Sequence, residues 1–271
     1  MNSTRHKWVF FSAFPPFRGG IAKFSVRTLE ALRHQMNVDA FTFIKQYPDF
    51  LFPGTSQFES SSQTVSTRRI VSTLNPFSYL RSALIFRREK PTVFVTSYWM
   101  TFMAPMMVFW TYFLPKKTKK IAIIHNLIPH EKRFFDLFFN RIFLNAYDGF
   151  VVLSASVHTD VLALKPNAQI KLIAHPPYEG EVGKMTRHEA QLSLGLDTTK
   201  KTLLFFGLIR PYKGLLELIH AFAHLDDTYQ LLIAGEVYGD DQMYQDALQQ
   251  LPHANWFFHN LKYSSNQYLG V

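Results

Sequence analysis

Two cations stand close together in the stretch FFGLIRPYKGL at 205–215, where an uncharged run ends at Arg210 and Lys213 follows. The uncharged run is typical of a buried strand, and the residues from Gly214 onward have the amphipathic spacing of a helix. Ligands of open α/β sheets bind beyond the carboxyl ends of the strands, so these cations are placed to hold an anion such as a diphosphate. Solvation of both cations in an ordinary loop is an equally open alternative.

A pair of glycines follows the first apolar run of the chain, in PPFRGGIAKF at 15–24. Gly19 and Gly20 stand where a strand-like segment gives way to a helical pattern. Glycines let backbone N–H groups approach an anion closely, and a helix N-terminus carries about half a positive charge. The spacing is not G-x-G-x-x-G, so a dinucleotide fingerprint is absent, and a simple turn is the alternative.

A histidine and an asparagine end another apolar run, in IIHNLIPHE at 123–131. His125 and Asn126 fall at the carboxyl end of a predicted strand, and both a structural and a functional role stay open for the histidine. His130 and Glu131 begin the next predicted helix. Their spacing from His125 is not that of metal ligands on a helix, so we expect no metal site.

Two further strand ends carry polar residues. The segment AHPPY at 174–178 is expected to fix the turn between two domains. The segment EVYGDD at 236–241 is interpreted as a capping turn, with a position near a ligand as the alternative.

Apolar runs of strand length alternate with helical patterns along the chain. Continuous Val, Ile and Phe runs between helices are typical of a parallel sheet covered on both faces. The predicted strands lie at 7–14, 38–44, 92–98, 120–126, 149–154, 169–175, 202–209, 229–237 and 255–261. The predicted helices follow the glycine pair and lie at 131–146, 155–164, 187–196, 214–225 and 241–250. A mobile loop is expected at 53–67, which is rich in Ser, Thr and Gln.

A change to polar, flexible composition near residue 178 predicts two domains. Residues 1–180 form the first, and residues 181–271 form the second, which holds three predicted strands. The expected fold class is α/β, with two Rossmann-like, doubly wound parallel-sheet domains, the second of them incomplete.

The positive charge of the chain is concentrated in its first half. The net charge is +9, and residues 1–120 carry 17 Lys and Arg against 5 Asp and Glu. This distribution favours anionic partners, namely phosphates, nucleic acid or the inner face of a membrane, with a solvated basic surface as the alternative. No basic–aromatic recognition motif or helix-turn-helix signal is present, so nucleic acid is not the expected partner.

Composition and hydropathy also limit the chemistry and the compartment. The 271 residues include no cysteine, which excludes disulfides and cysteine nucleophiles and is consistent with a cytoplasmic location. No segment has the pattern of a signal peptide. The uncharged run 92–114 is long enough to span a bilayer, but Pro105 interrupts it. We therefore expect a strand followed by a buried or membrane-touching helix.

Taken in order, six segments of the chain resemble retaining glycosyltransferases of the large family-4 group, whose fold is GT-B. The segments are FPPFRGGIAKF, IIHNLIPHE, GFVVLSASV, KLIAHPPY, LGL…KTLLFFGLIRPYKGLLELIHAF and LLIAGE. The resemblance is most specific at FFGLIRPYKGL. It implies two domains facing a cleft that holds a nucleotide diphosphate sugar. It also implies transfer with retention to a saccharide or lipid-linked acceptor, in cell-surface polysaccharide synthesis.

The resemblance assigns roles to individual residues. Arg210 and Lys213 match the pair that binds the donor diphosphate and stabilises the leaving phosphate, so neither a metal nor another cofactor is expected. Gly20, with Gly19 beside it, matches a loop glycine near that phosphate, and His125 matches a histidine near the transferred sugar. One further residue is expected on the donor side and two on the acceptor side: Gly207, Arg18 and Asn126.

Two expectations concern what completes the site and where it works. The family carries two glutamates spaced E-x7-E late in the second domain, whereas the last carboxylate here is Asp246. This departure predicts a truncated chain or one that needs a partner, and its alternative is a catalytically silent module that binds nucleotide sugars. The segment Trp99–Leu114 and the cluster Lys116–Lys120 are expected to rest on an anionic membrane surface, as in a peripheral membrane protein.

Overall fold

The computed structural model describes residues 7–47, 58, 65–128, 134–175, 185–237, 240–251 and 256–260. These residues belong to two compact units. The first unit contains residues 7–47 and the described residues between 65 and 175. The second unit contains residue 58 and the described residues from 185 onward. The predicted boundary between 180 and 181 lies outside the described residues, as does most of the loop predicted at 53–67.

The first unit contains a seven-stranded parallel sheet in the order β3-β2-β1-β4-β5-β6-β7. Its strands are β1 (Lys7–Phe11), β2 (Asn37–Lys45), β3 (Arg68–Ser72), β4 (Val93–Tyr98), β5 (Lys119–Ile124), β6 (Gly149–Val152) and β7 (Ile170–Leu172). The strand order reverses between β1 and β4, and doubly wound sheets bind ligands beyond the carboxyl ends of such a strand pair. The predicted α/β fold class is confirmed.

Helices cover both faces of this sheet. They are α1 (Gly20–Gln35), α2 (Pro76–Glu89), α3 (Ala104–Phe113), α4 (Asp136–Ala146) and α5 (Ala155–Leu164). Side chains along β1 alternate between two cores because successive strand residues point to opposite faces. Phe10 packs with Leu29 in the core under α1. Phe11 packs in the larger core under α2–α5, where its ring lies 4.7 Å from that of Trp110.

The uncharged run at 92–114 is part of this larger core. It folds as β4, a 3₁₀ turn at Thr101–Met103 and the ten-residue helix α3. Trp99 and Trp110 are buried, as the buried alternative for this segment requires, and contact of Trp99–Leu114 with lipid stays a prediction. Tyr112 is a large side chain of this segment that is strongly exposed, with 80% of its surface accessible. None of the described helices combines the length and apolar character needed to cross a membrane.

Two elements of the first unit, β3 and α2, have no counterpart among the predicted ones. The start of α2 is fixed locally, because the side chain of Asn75 accepts a hydrogen bond from the backbone N–H of Phe77 at 3.0 Å. Pro76 occupies the first turn, where no backbone donor is needed. The helix therefore begins at a signal that the sequence contains.

The second unit contains a three-stranded parallel sheet in the order β10-β9-β8. Its elements are α6 (Arg187–Ser193), β8 (Lys201–Phe206), α7 (Leu215–Phe222), β9 (Tyr229–Gly235), α8 (Gln242–Gln249) and β10 (Trp256–Asn260). The helix α6 begins with a capping box in which Thr186 and Glu189 satisfy each other's backbone donors. Buried residues of α7, α8, β9 and the loop after β8 form one core, which includes Ile209, Ile219, Leu231 and Leu248.

Candidate active site

The glycine pair lies at the N-terminus of α1, directly beyond the carboxyl end of β1. Gly19 has φ 109° and ψ 170°, a backbone conformation that residues other than glycine rarely adopt. A Cβ atom at Gly19 or Gly20 would meet nothing within 4 Å, so this helix end borders open space. The first turn of α1 contains no acidic residue, and Gly19 provides no side-chain cap. The backbone donors of this turn therefore suit an external anion.

Buried side chains hold the loop between β1 and the glycine pair. Phe14 and Phe17 are buried, and the backbone N–H of Phe14 donates to Oγ1 of Thr42 on β2 at 3.2 Å. The hydroxyls of Ser12 and Ser25 lie 2.6 Å apart and join the loop to α1. The half-exposed Arg18 follows Phe17, so the structure places this predicted acceptor-side residue next to the glycines.

His125 follows β5 at the same carboxyl edge. Its backbone N–H donates to the carbonyl of Tyr98, the last residue of β4, at 2.9 Å. Its ring meets that of Phe24 on α1 edge to face, with centroids 5.1 Å apart. The Nε2 atom of His125 is buried and has no hydrogen-bond partner among the described residues. Burial, and secondly the charge of His175, lower the pKa of His125 to about 4, so the ring is neutral at physiological pH.

A second histidine, His175, lies beside the same phenylalanine. Its ring centroid is 5.1 Å from that of Phe24, so α1 carries a phenylalanine in contact with two histidines. His175 was not among the predicted site residues, since the segment AHPPY has the composition of a turn. The available signal was its position just after an apolar strand, the same position as that of His125. Residues 176–178 of this segment lie outside the described residues.

Buried hydrogen bonds hold the loop that carries His125 and the half-buried Asn126. The hydroxyl of Tyr98 donates to Oδ1 of Asn140 on α4 at 2.5 Å, and Nδ2 of Asn140 donates to the carbonyl of Leu127 at 2.7 Å. These two hydrogen bonds join the end of β4, the helix α4 and the loop after β5. His130 and Glu131 lie outside the described residues.

In the second unit, two glycines bring the ends of β8 and β9 unusually close. Gly207 has φ 122°, and its backbone N–H donates to the carbonyl of Ala234 at 3.0 Å. A Cβ atom at Gly235 would lie 1.9 Å from the carbonyl oxygen of Gly207, so only glycine fits there. The chain then passes through Ile209, which is fully buried and whose backbone N–H donates to the carbonyl of Glu236, the residue after β9. Gly207, a predicted donor-side residue, therefore shapes the loop that follows.

That loop carries both predicted cations. Arg210 precedes a 3₁₀ turn at Pro211–Lys213, and the backbone N–H of Lys213 donates to the carbonyl of Arg210 at 2.9 Å. Gly214, with φ 76°, ends this turn and starts α7. The exposed ammonium of Lys213 lies 5.5 Å from the ring centroid of Tyr212. One short turn thus holds a guanidinium and an ammonium at the N-terminus of a helix, an arrangement suited to a diphosphate.

The start of α8 and the acidic and histidine side chains bear on the predicted capping turn and on metal binding. At the start of α8, the backbone N–H of Gln242 donates to the carboxylate of Asp240 at 3.0 Å, whereas the N-cap residue Asp241 makes no side-chain cap, so the capping turn at 236–241 stays a prediction. Within the described ranges, no group of three or more His, Asp or Glu side chains is placed to hold a metal ion. The metal independence of the site stays a prediction.

Comparison with known proteins gives a family match in the second unit. Residues 186–266 match the family model "Glycosyl transferases group 1". This range contains Gly207, Arg210 and Lys213, the predicted donor-side residues of the second unit. No curated protein sequence matches the chain significantly.

Solved structures share the fold over most of the chain. Sucrose-phosphate synthase from Thermosynechococcus elongatus is 16% identical, with a TM-score of 0.68 over 94% of this chain and 70% of its own. HepE from Anabaena, in complex with UDP and glucose, is 13% identical, with a TM-score of 0.67 over 93% and 68%. The UDP-GlcNAc 2-epimerase from Neisseria meningitidis is 13% identical, with a TM-score of 0.53 over 95% and 73%. Residues 186–266 thus match the group 1 glycosyltransferase family model, and the chain as a whole shares the α/β fold of these structures.

Proposed function

We propose that the protein transfers a sugar from a nucleotide diphosphate sugar to a saccharide or lipid-linked acceptor, with retention, in cell-surface polysaccharide synthesis. The observation that carries this proposal is the 3₁₀ turn that holds Arg210 and Lys213 at the N-terminus of α7, inside the group 1 match. Solved structures of HepE with UDP-glucose and with UDP add support for the class of donor.

The reaction breaks the bond between the anomeric carbon of the sugar and the diphosphate. The bonding electrons leave with the diphosphate, the acceptor oxygen bonds to the anomeric carbon, and the acceptor proton is released. Negative charge therefore grows on the diphosphate in the transition state. Arg210 and Lys213 supply fixed positive charge for it, which lowers the barrier because the attraction is stronger in the transition state than in the ground state.

The first unit contributes neutral groups to the donor side in this proposal and one cation, Arg18, to the acceptor side. The backbone donors after Gly19 and Gly20 bind a phosphate oxygen, helped by the dipole of α1. His125 is neutral because burial lowers its pKa to about 4, so it hydrogen-bonds a hydroxyl of the sugar rather than acting as a charged acid. Arg18 and Asn126 contact the acceptor. No metal takes part, because the two cations of the second unit neutralise the diphosphate.

The proposal is tested in two steps with the full chain. Calorimetric titration with UDP-, GDP- and ADP-sugars should detect binding of one donor, and absence of binding to all three would reject it. A product assay with the bound donor and a lipid-linked saccharide should then release nucleotide diphosphate and yield a glycosylated acceptor with the donor's anomeric configuration. Binding without product would favour a silent nucleotide-sugar-binding module.

A further inference from the structure

The outer sides of three neighbouring helices form one continuous surface on the first unit. The helix α3 packs against both α2 and α4, and all three cover the same core. We define the α2–α4 face as the exposed side chains of these helices together with Phe134, Lys116 and Lys117 at their ends. It lies on the side of the sheet opposite α1, because α1 packs on the other core.

The α2–α4 face is rich in large apolar side chains that point away from the core. On α2 they follow helical spacing, from Phe77, which is 84% exposed, to Leu80 and Leu84. At α4 the same spacing begins with Phe134, which is 98% exposed, and continues through Leu137, Phe138 and Ile142. Large apolar side chains exposed at helical spacing on two neighbouring helices mark a site of interaction.

Among its described residues, the same face carries cations and no exposed acid. The exposed basic residues on and beside the three helices are Arg81, Arg87, Arg88, Lys90, Lys116, Lys117, Lys119 and Arg141. In the described part of 65–147 the acidic residues are Glu89 and Asp136. Asp136 is buried, and Glu89 is bound by Lys7 and Arg68. The exposed charges of this surface are therefore positive wherever the structure describes them.

Exposed phenylalanine and leucine on α2 and α4, with arginine and lysine on and beside the same helices, match the chemistry of an anionic lipid surface. The apolar side chains enter the boundary between headgroups and acyl chains, and the cations contact lipid phosphates. A second copy of this chain would bring like charges together. A nucleic acid would leave the apolar stripe without a partner.

We propose that the α2–α4 face docks the protein on an anionic lipid bilayer. This inference deepens the proposed function and rests on it for its purpose, since docking would hold the enzyme beside a lipid-linked acceptor. The helices α2 and α4 begin after the carboxyl ends of β3 and β5, so their phenylalanine-bearing starts lie toward the edge of the sheet that carries His125. The contact surface is thus mainly α2 and α4, not the largely buried segment Trp99–Leu114.

The test is sedimentation of the full chain with vesicles of phosphatidylcholine alone or mixed with phosphatidylglycerol, without donor or acceptor. We expect binding to the anionic vesicles at low salt and weaker binding at high salt. The double variant Phe134→Ser, Phe138→Ser removes two apolar contacts without changing charge. The double variant Arg81→Glu, Arg88→Glu reverses two charges. Each should lower the vesicle partition coefficient roughly tenfold or more.

Matched variants in other parts of the chain control for general effects. Leu192→Ser with Met243→Ser changes exposed apolar residues of the second unit, and Lys171→Glu with Arg187→Glu reverses two exposed cations elsewhere. Both should bind vesicles like the wild type, with circular dichroism as the check on folding. Equal loss in the controls, or no binding by the wild type, would overturn the proposal. So would a dimer that Phe134→Ser, Phe138→Ser converts to monomer, since a second copy would then occupy the face.

The vesicle assay separates this inference from the proposed function. A variant with Arg210→Ala and Lys213→Ala should lose donor binding and still sediment with anionic vesicles. Failure of sedimentation with intact donor binding would refute the docking surface alone. Failure of donor binding with intact sedimentation would refute the proposed function alone.

Discussion

The predicted anion sites of the two units share a backbone arrangement but differ in the charge of their side chains. Each places a helix directly beyond a parallel strand, and each begins that helix at a glycine with positive φ, Gly19 in the first unit and Gly214 in the second. The second unit adds the cations Arg210 and Lys213. The first adds no cation at the glycines except Arg18 and instead brings up a neutral, half-buried His125.

This difference separates two physical tasks. Fixed charges stabilise the charge that develops on a leaving diphosphate, whereas neutral donors and acceptors distinguish the hydroxyls of a sugar without a large desolvation cost. The loops also differ in support. Backbone contact between Gly207 and Gly235 fixes the loop in the second unit, whereas the Tyr98–Asn140 hydrogen bond supports the loop in the first.

Removal of the two cations should have the largest effect. Arg210→Ala with Lys213→Ala should weaken donor binding by about 100-fold or more, because each charge-assisted hydrogen bond contributes roughly 1.5–3 kcal/mol. Calorimetry at two salt concentrations provides the measurement. The salt dependence of donor binding should also become shallower in the variant, since fewer charges take part.

The matched control for this variant is Arg187→Ala with Lys200→Ala, which removes two other cations of the second unit. It should bind the donor like the wild type. If both double variants bind equally well, charge in the turn after β8 does not hold the donor, and the contrast between the units disappears.

Gly235→Ala should cause the next largest loss, in stability. The new Cβ atom would meet the carbonyl oxygen of Gly207 at 1.9 Å, so the ends of β8 and β9 must separate. We expect the free energy of unfolding of the second unit to fall by about 2–4 kcal/mol, as overpacking against backbone requires. Urea denaturation measures it.

Gly20→Ala is the matched substitution in the first unit, where a Cβ atom meets nothing within 4 Å. It should change the free energy of unfolding by less than about 0.5 kcal/mol. Equal effects of the two substitutions would contradict the tight backbone contact between β8 and β9.

Much of this arrangement could be predicted from the sequence, for identifiable reasons. Strands buried on both faces have continuous apolar runs, so β4, β5 and β9 were located closely, and the glycines and cations stood at their ends. The strand β3 was missed because it lies at the sheet edge and begins with two exposed arginines. The helix α2 was missed because Phe77, Leu80 and Leu84 point outward, which obscures the amphipathic period.

The contact between His175 and Phe24 could not be predicted, because it depends on how the end of β7 meets α1. Tertiary neighbours of this kind leave no periodic signal in the sequence. Likewise, the length of 92–114 alone did not distinguish a bilayer span from the buried pair of β4 and α3, whereas Pro105 at the start of α3 did.

The neutral histidine of the first unit should make stability depend on pH. Burial first, and the charge of His175 second, lower the pKa of His125 to about 4, below its value in an unfolded chain. The unfolded state therefore binds a proton that the folded state does not between about pH 6.5 and pH 4. The stabilisation is complete above that range and is lost as the pH falls through it, by about 2–3 kcal/mol.

Urea denaturation across this pH range measures the effect. His125→Gln should flatten the dependence, because glutamine is not protonated. His34→Gln changes an exposed histidine on α1 and is the control, because it should leave the pH dependence of the free energy of unfolding nearly unchanged. An unchanged pH profile in His125→Gln would show that other groups control stability in this range.

Tyr98→Phe should give the smallest effect and bears on how the first-unit loop is supported. The substitution removes the hydroxyl that donates to Asn140 at 2.5 Å and leaves a buried acceptor without that donor, so we expect a loss of about 1–2 kcal/mol in the free energy of unfolding. Stacking of the ring on Phe143, at 4.0 Å between centroids, is retained and limits the loss. Because Asn140 also donates to Leu127, the His125 loop should loosen and donor affinity should fall with stability. Donor affinity equal to that of the wild type would mean that this network stabilises the unit without positioning the histidine.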